Sequence, residues 1–347
     1  MKQSHPDAAL ADQILPAHHV RDWSAQVLIK CGMPQSDAET TASVLTRTSL
    51  RRYDGHGVTR LPLYASRILA GEVNPRPHHH GELRDGTIFY SSDNGLGQVI
   101  ASAAMHSAIE ATKTRPIVSC LMEGCGHLSA LGTFTLQAAE AGRVAFLCQP
   151  TKPWVAMVGW TSRAIGNNPI SFAAPVVGKA PLVFDMAASV VSRGAVMDSK
   201  RDGKPIPFGW AIGPDGASTT DAAEAADGSM LPMGGYKGIG LAMLVECLGA
   251  SLMSRLGEEP GVRSRPGAFL LVANPALTSG ADFGRDMATW LARYQEASPD
   301  GAARYPGQRA AECEAQRSTD GIPIPHAFFQ DLARLGEKTG IPLGHPD

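Results

Sequence analysis

The stretch RRYDGHGVTRLPLY, residues 51–64, sets His56 between Gly55 and Gly57 and places Arg60 four residues further on. An imidazole ordinarily titrates near neutrality and can give or take the proton that accompanies carbonyl reduction. A guanidinium presents a rigid planar fork that pairs with a carboxylate. Flanking glycines permit close approach of another molecule and unusual backbone angles. The combination suits a 2-oxo acid, where hydride delivery leaves charge developing on oxygen. The same residues also suit a turn histidine beside a structural arginine, and their spacing leaves both readings open.

Three further stretches carry chemistry-bearing residues. EGCGHLSALG, residues 123–132, lies between an expected strand and helix, so its amides could meet polar cofactor atoms, and His127 could move a proton. It departs from the dinucleotide fingerprint G-x-G-x-x-G, because Ser129 stands where the third glycine belongs. Asp185 closes the apolar run PLVF. A carboxylate there needs hydrogen-bond donors, and it could orient a histidine or cap a helix starting at Met186. PMGGYKGIGLA, residues 232–242, offers Lys237 and glycines at a helix entrance, suited to phosphate. It lacks the GxxxxGK[ST] pattern of a phosphate-loop ATPase, and a glycine turn with a solvated lysine fits as well.

Other chemistries lack a nucleus. His78, His79 and His80 are too compressed to ligate one metal without an unusual turn, and no nearby pattern completes a site. Neither HExxH nor GxSxG occurs. The formal charge of -2 over 347 residues, with no run of Lys and Arg, gives no reason to expect nucleic acid. Six dilute cysteines without a CxxC pair suit reduced thiols in a cytoplasmic protein. No signal-peptide pattern or charge-free apolar run of membrane-spanning length is expected.

The elements that must position these residues alternate. Helices are expected over 17–30 and 36–50, the second opened by a capping box of Ser36 and Glu39. Strands over 87–91, 116–122, 144–148, 170–173, 182–186 and 268–274 alternate with helices over 98–112, 129–141, 238–255 and 282–296, and a last helix covers 327–336. The pattern is α/β. Two domains are expected: residues 82–240 as a mixed α/β cofactor domain, and 1–81 plus 241–347 as a helical/mixed dimerisation and substrate domain.

In order and spacing, RRYDGHGVTRLPLY, GCGHLSALG, IGNNPISFAAP, VFDMAASVVSRG, PIPFGWAIGPDGASTTD and PMGGYKGIGLAMLVECLGA resemble the non-Rossmann malate/L-lactate dehydrogenase family over roughly residues 20–340. That resemblance implies a two-domain fold with a non-Rossmann dinucleotide-binding domain and a homodimeric oxidoreductase using NAD or NADP. Its family substrates are small carboxylates: malate, lactate, ureidoglycolate, sulfolactate, diketogulonate, and the cyclic imino acids piperideine- and pyrroline-2-carboxylate. By resemblance His56 is the acid/base, with His127 a second candidate, and Arg60 binds the substrate carboxylate. Asp185 supports the histidine or lines the cofactor pocket, and Asp185, Met186, Ala187, Lys237, Gly238, Gly307 and Gln308 contact the cofactor. No metal is implied. Two departures bear on substrate: Gly55 replaces the family's usual serine before the histidine, and Asn167 its commoner threonine.

Overall fold

The computed structural model describes residues 12–253, 267–278, 282–299 and 302–344. The chain divides into one compact unit of residues 1–77 and 309–347, and a second of residues 78–308.

In the first unit the helices Ala17–Lys30 and Gln35–Leu50 pack together, and the strand Gln13–Leu15 pairs antiparallel with Ile322–Ile324. That two-stranded ladder ties the two ends of the sequence into one body. Glu314 bridges Arg47 (2.8 Å) and the buried Arg51 (2.6 Å), fixing the helix Gln308–Asp320 to the second helix. The expected capping box does not form. Pro34, with φ -60° and ψ 150°, is itself the N-cap, so the helix begins at Gln35 and Ser36 already lies inside its first turn. Glu39 instead accepts a hydrogen bond from the Gln35 side chain at 2.8 Å.

The second unit is built on a seven-stranded sheet ordered His80–Arg84, Thr87–Ser91, Ile117–Glu123, Ala268–Ala273, Val144–Cys148, Ile170–Ala174, Leu182–Met186. Only the Thr87–Ser91 and Ile117–Glu123 pair is parallel; every other pairing is antiparallel. An ordinary Rossmann sheet is mostly parallel, so this unit has a different topology. The segment 241–308, expected with the chain ends, falls in the second unit because Ala268–Ala273 pairs with strands on both sides at the centre of the sheet.

Strand alternation gives the sheet two apolar faces. Leu136 and Ala139 of the helix Gly132–Glu140 pack on Ala173 and Val183. On the opposite face Val245 of the helix Tyr236–Gly249 packs on Leu121, Cys148 and Phe269. Gly249 is required there, since a Cβ would sit 2.4 Å from Pro150 Cδ. The helix expected over 238–255 thus ends at Gly249, followed by a 3-10 turn Ser251–Met253; residues 254–255 lie outside the described residues. The stretch Tyr236–Met253 is long and apolar enough to cross a membrane by length and composition alone, and it leaves Tyr236, Met243, Leu244 and Leu252 exposed. A smaller five-stranded sheet includes Pro153–Val155 and Ser229–Met230, with its own core of Val155, Val196, Ile206 and Met230.

Candidate active site

His56 and Arg60 end two consecutive 3-10 turns, Asp54–His56 and Val58–Arg60, between which Gly57 breaks the helical path. The glycine is there for space. A Cβ on it would lie 2.0 Å from Ser49 Oγ, and that hydroxyl accepts the Val58 amide at 3.1 Å. Arg317 anchors the first turn by gripping both oxygens of Asp54, at 2.6 and 3.2 Å. Thr59 Oγ1 donates to the Asp54 carbonyl (2.6 Å), and Arg60 Nε to the Gly55 carbonyl (2.6 Å). This fixes the stem of Arg60 while its terminal nitrogens have no acceptor among the described residues. Burial, reinforced by the charge of Arg60, pushes the His56 imidazole down to about 4. At neutral pH it therefore rests uncharged and can accept a proton. To donate one it must first be charged, which the near-neutral value expected from sequence did not require.

In the second unit the strand Leu182–Met186 delivers Asp185 to the start of the helix Gly132–Glu140, where Oδ2 accepts the Gly132 amide at 2.7 Å. Gly132 admits the carboxylate closely: its Cβ position is 3.2 Å from both Cβ and Oδ2 of Asp185. Asp185 thus caps a helix 53 residues earlier, and no helix starts at Met186, since the next one is Arg193–Arg201. Part of its surface stays open, yet burial pushes the carboxyl up to about 6 against the opposing amides of Gly132 and Leu131.

The segment that contains Asp185 is pinned at both ends. The Val183 amide donates to Pro306 (3.0 Å), and Gly307, at φ 93°, has its Cβ position 2.7 Å from Val183 N. Met233 N donates to Ala188 (2.9 Å), and a Cβ on Gly238 would lie 2.6 Å from the same carbonyl. These contacts hold Gly307 at Val183 and Gly238 at Ala188, the two ends of the segment that contains Asp185, Met186 and Ala187, with Lys237 exposed beside Gly238. Gln308 closes the Tyr305 turn through its amide at 3.2 Å.

His127 sits in the loop before Gly132. The expected helix over 129–141 begins only at Gly132, because Gly126 (φ 66°) and Ser129 (φ 78°) hold left-handed angles that no helix contains.

A model of the malate/L-lactate dehydrogenase family matches residues 15–333. The chain belongs to that family. It is 31% identical over 328 residues to the Delta(1)-pyrroline-2-carboxylate/Delta(1)-piperideine-2-carboxylate reductase of Pseudomonas aeruginosa, covering 92% of this chain and 98% of the relative. It is 36% identical over 248 residues to the malate dehydrogenase of Pyrococcus horikoshii, covering 69% and 68%. Among solved structures, the sulfolactate dehydrogenase from Methanocaldococcus jannaschii matches with a TM-score of 0.84 at 28% identity, over 95% of this chain and 98% of the other.

Membership of this malate/L-lactate dehydrogenase family makes the chain a dehydrogenase/reductase and implies a nicotinamide cofactor. The second unit fits such a group. Gly234 and Gly235, at φ 58° and 62°, open the N-terminus of the helix Tyr236–Gly249, and a Cβ on Gly235 meets nothing within 4 Å. The open turn and the exposed Lys237 suit a phosphate, while the amides of Gly235, Lys237 and Gly238 already donate to the carbonyls of Pro232, Gly234 and Met233.

Several supports in this family member escaped the sequence. Gln149 holds the His127 loop, donating to the Gly126 carbonyl at 2.5 Å and accepting the Leu128 amide at 3.4 Å. Gln98 donates to the His127 carbonyl (3.3 Å), and Gly97 clears the same oxygen, which a Cβ would approach to 2.5 Å. Asn168, fully buried at φ 32°, accepts the Thr151 amide (2.9 Å) and donates to Ala242 (2.8 Å) and Glu246 (3.0 Å). Its place in the NNP motif was the available signal; the glutamines carried none. His79, from the histidine triplet, hydrogen-bonds and stacks on Tyr90.

Proposed function

We propose that this protein transfers hydride, with NAD or NADP, between the nicotinamide and the carbon beside the carboxylate of a small 2-oxo/2-hydroxy acid. The observation that carries this is the pairing of His56 with Arg60 on consecutive constrained turns, the guanidinium fixed by its stem and its terminal nitrogens without an acceptor among the described residues. The bound cofactor supplies hydride chemistry. Arg60 holds the carboxylate, and His56 takes the hydroxyl proton during oxidation and returns it during reduction. His127 is the second candidate for that proton. Asp185, Met186, Ala187, Lys237, Gly238, Gly307 and Gln308 form the cofactor side, and Asp185 also holds the start of the Gly132 helix. Asp185 also keeps the proposed supporting role toward the catalytic histidine. The scheme needs no metal.

A second reading, reduction of cyclic imino acids, is favoured by the depressed value of His56. A protonated C=N group brings its own proton, so a resting neutral imidazole is no obstacle. Turnover measured with NADH and NADPH against pyruvate, oxaloacetate, other 2-oxo acids, piperideine-2-carboxylate and pyrroline-2-carboxylate tests both. Turnover of imines alone selects the second reading; no turnover of any, by folded protein, sinks both.

The same proposal includes a homodimer. The exposed apolar side chains of Tyr236, Met243, Leu244 and Leu252 offer a surface for a second copy. Sedimentation of Met243→Glu checks it, with dissociation expected. A cytoplasmic setting is proposed from cysteines that form no disulfide among the described residues, including Cys120 and Cys148, whose thiols burial pushes up to about 12.

A further inference from the structure

Trp154 carries two guanidiniums on its indole, with Arg193 Cζ 3.4 Å and Arg163 Cζ 4.2 Å from the ring centroid. Their surroundings differ. Arg163 donates to the carbonyls of Gly228 (2.9 Å), Ala226 (3.2 Å) and Asp227 (3.1 Å), the electronegative end of the helix Ala222–Asp227. Arg193 opens the helix Arg193–Arg201, and its guanidinium has no hydrogen-bond acceptor among the described residues. It is half-buried, and burial together with the charge of Arg163 weakens its hold on its proton, with Asp227 opposing. Asp227 is 73% exposed and also lies 4.0 Å from Lys200. Three cations therefore face one acid, in a chain whose formal charge is -2.

A purely structural arginine explains Arg163 but not Arg193. Packing on an indole is favourable, yet a second guanidinium beside the first adds repulsion, and its half-exposed donors meet no acceptor among the described residues. Stacking does hold the fork flat and removes much of the freedom a ligand would otherwise have to freeze. The chain places this fork close to the segments already assigned to the cofactor. Val190 N donates to Leu231 (2.9 Å) and Ser189 bridges Pro232, between Ala187 and Arg193 in sequence. Val155, next to Trp154, pairs with Met230 immediately before Leu231.

We propose that Arg193, held on Trp154 and backed by Arg163, receives an oxyanion of the bound dinucleotide, the ribose phosphate that NADPH carries and NADH lacks. This rests on, and deepens, the dehydrogenase reading above, in which Arg60 takes the carboxylate beside the reacting carbon.

The test begins without turnover. Melting of wild type, Arg193→Gln and Arg193→Lys is compared in phosphate, malonate and ionic-strength-matched chloride. Wild type is expected to gain thermal stability with phosphate or malonate, the glutamine variant to lose that gain, and the lysine variant to keep part of it, since charge survives and the fork does not. Kinetics and cofactor titration then separate the sources. Loss of a charge-assisted contact corresponds to a roughly ten- to hundredfold effect. A KM raised that much for oxaloacetate but not pyruvate, with cofactor binding unchanged, overturns the proposal in favour of the substrate's far acid. A Kd raised that much for NADPH but not NADH places the phosphate there. No anion response in wild type, an unchanged response in Arg193→Gln, or equal weakening of NADPH and NADH binding overturns the proposal. If the glutamine variant does not fold, the lysine variant carries the same comparisons. Arg193-dependent anion binding by a protein that turns over no acid would sink the dehydrogenase reading and leave the anion site standing.

Discussion

His56 and Asp185 are both ionisable groups at the ends of tightly clamped segments, and burial drives each toward its neutral form. The imidazole falls to about 4 and the carboxyl rises to about 6. What differs is the company each keeps. Arg60 is a like charge that reinforces the effect of burial on His56, while the amides of Gly132 and Leu131 donate to Asp185 and oppose it. The first arrangement makes a group that responds to whatever neutralises Arg60. A substrate carboxylate would relieve part of the repulsion and raise the imidazole toward the value a proton donor needs. The second uses its carboxylate to hold a helix end, so its charge state is tied to structure.

Removing the two groups should separate these roles most sharply. His56→Ala is expected to reduce turnover by about 10²–10⁴-fold, the usual worth of a positioned acid/base, while leaving the melting profile near neutral pH close to wild type. Steady-state rates of His56→Ala and His127→Ala decide the assignment. If the His127 variant is dead and the His56 variant active, His127 is the proton-transfer residue.

Arg60→Ala comes next in size. Losing a charge-assisted pair should raise KM roughly ten- to a hundredfold, with a smaller fall in kcat. It should also remove a repulsive neighbour from His56, raising the imidazole value that ring-proton NMR reads in the free protein. A KM unchanged across the substrate panel would detach Arg60 from the acid.

The two glycines around His56 give a smaller, purely steric test. Gly57→Ala pushes a methyl to 2.0 Å from Ser49 Oγ, an overpacking expected to cost about 1–3 kcal/mol. Gly55 has nothing within 4 Å of its Cβ position and no left-handed angle, so Gly55→Ser, which restores the family's usual residue, should fold as wild type. Denaturant titration of both variants checks the contrast; equal destabilisation would mean that space is not what distinguishes the positions.

Much of this was legible in the sequence where the signal is local. The apolar runs at Thr87–Ser91, Val144–Cys148 and Leu182–Met186 became strands of the lengths they suggested. The His56 and Arg60 spacing marked two groups that the structure holds on adjoining turns. What depended on distant partners was not legible. Asp54 is gripped by Arg317, 263 residues away, and Asp185 caps Gly132, which no spacing rule connects. The position of Ala268–Ala273 at the centre of the sheet moved a whole segment from one unit to the other. The strands of the smaller sheet, such as Ala211–Ile212, are too short for any period to register.

The smallest effect is the one that tests the comparison itself. His56 holds its proton less tightly folded than unfolded, since about 4 lies below its ordinary 6.5. Between those values the unfolded chain binds more protons, so this group makes stability rise with pH over that window. Asp185 is the reverse: with about 6 above its ordinary 3.8, its contribution is fully present below 3.8 and is lost as pH rises through 6. Over the shared window from about 4 to 6 the two slopes, each at most about 1.4 kcal/mol per pH unit, oppose one another. Wild type should therefore show little net dependence from this pair. His56→Gln should leave stability falling as pH rises, and Asp185→Asn, which keeps an acceptor for Gly132, should leave it rising. Denaturant midpoints at half-unit steps from pH 4 to 6.5 read both slopes; where the units unfold in separate transitions, each slope should appear in the transition of the unit that holds its group. The same sign of change in both variants would show that burial does not drive the two groups in opposite directions.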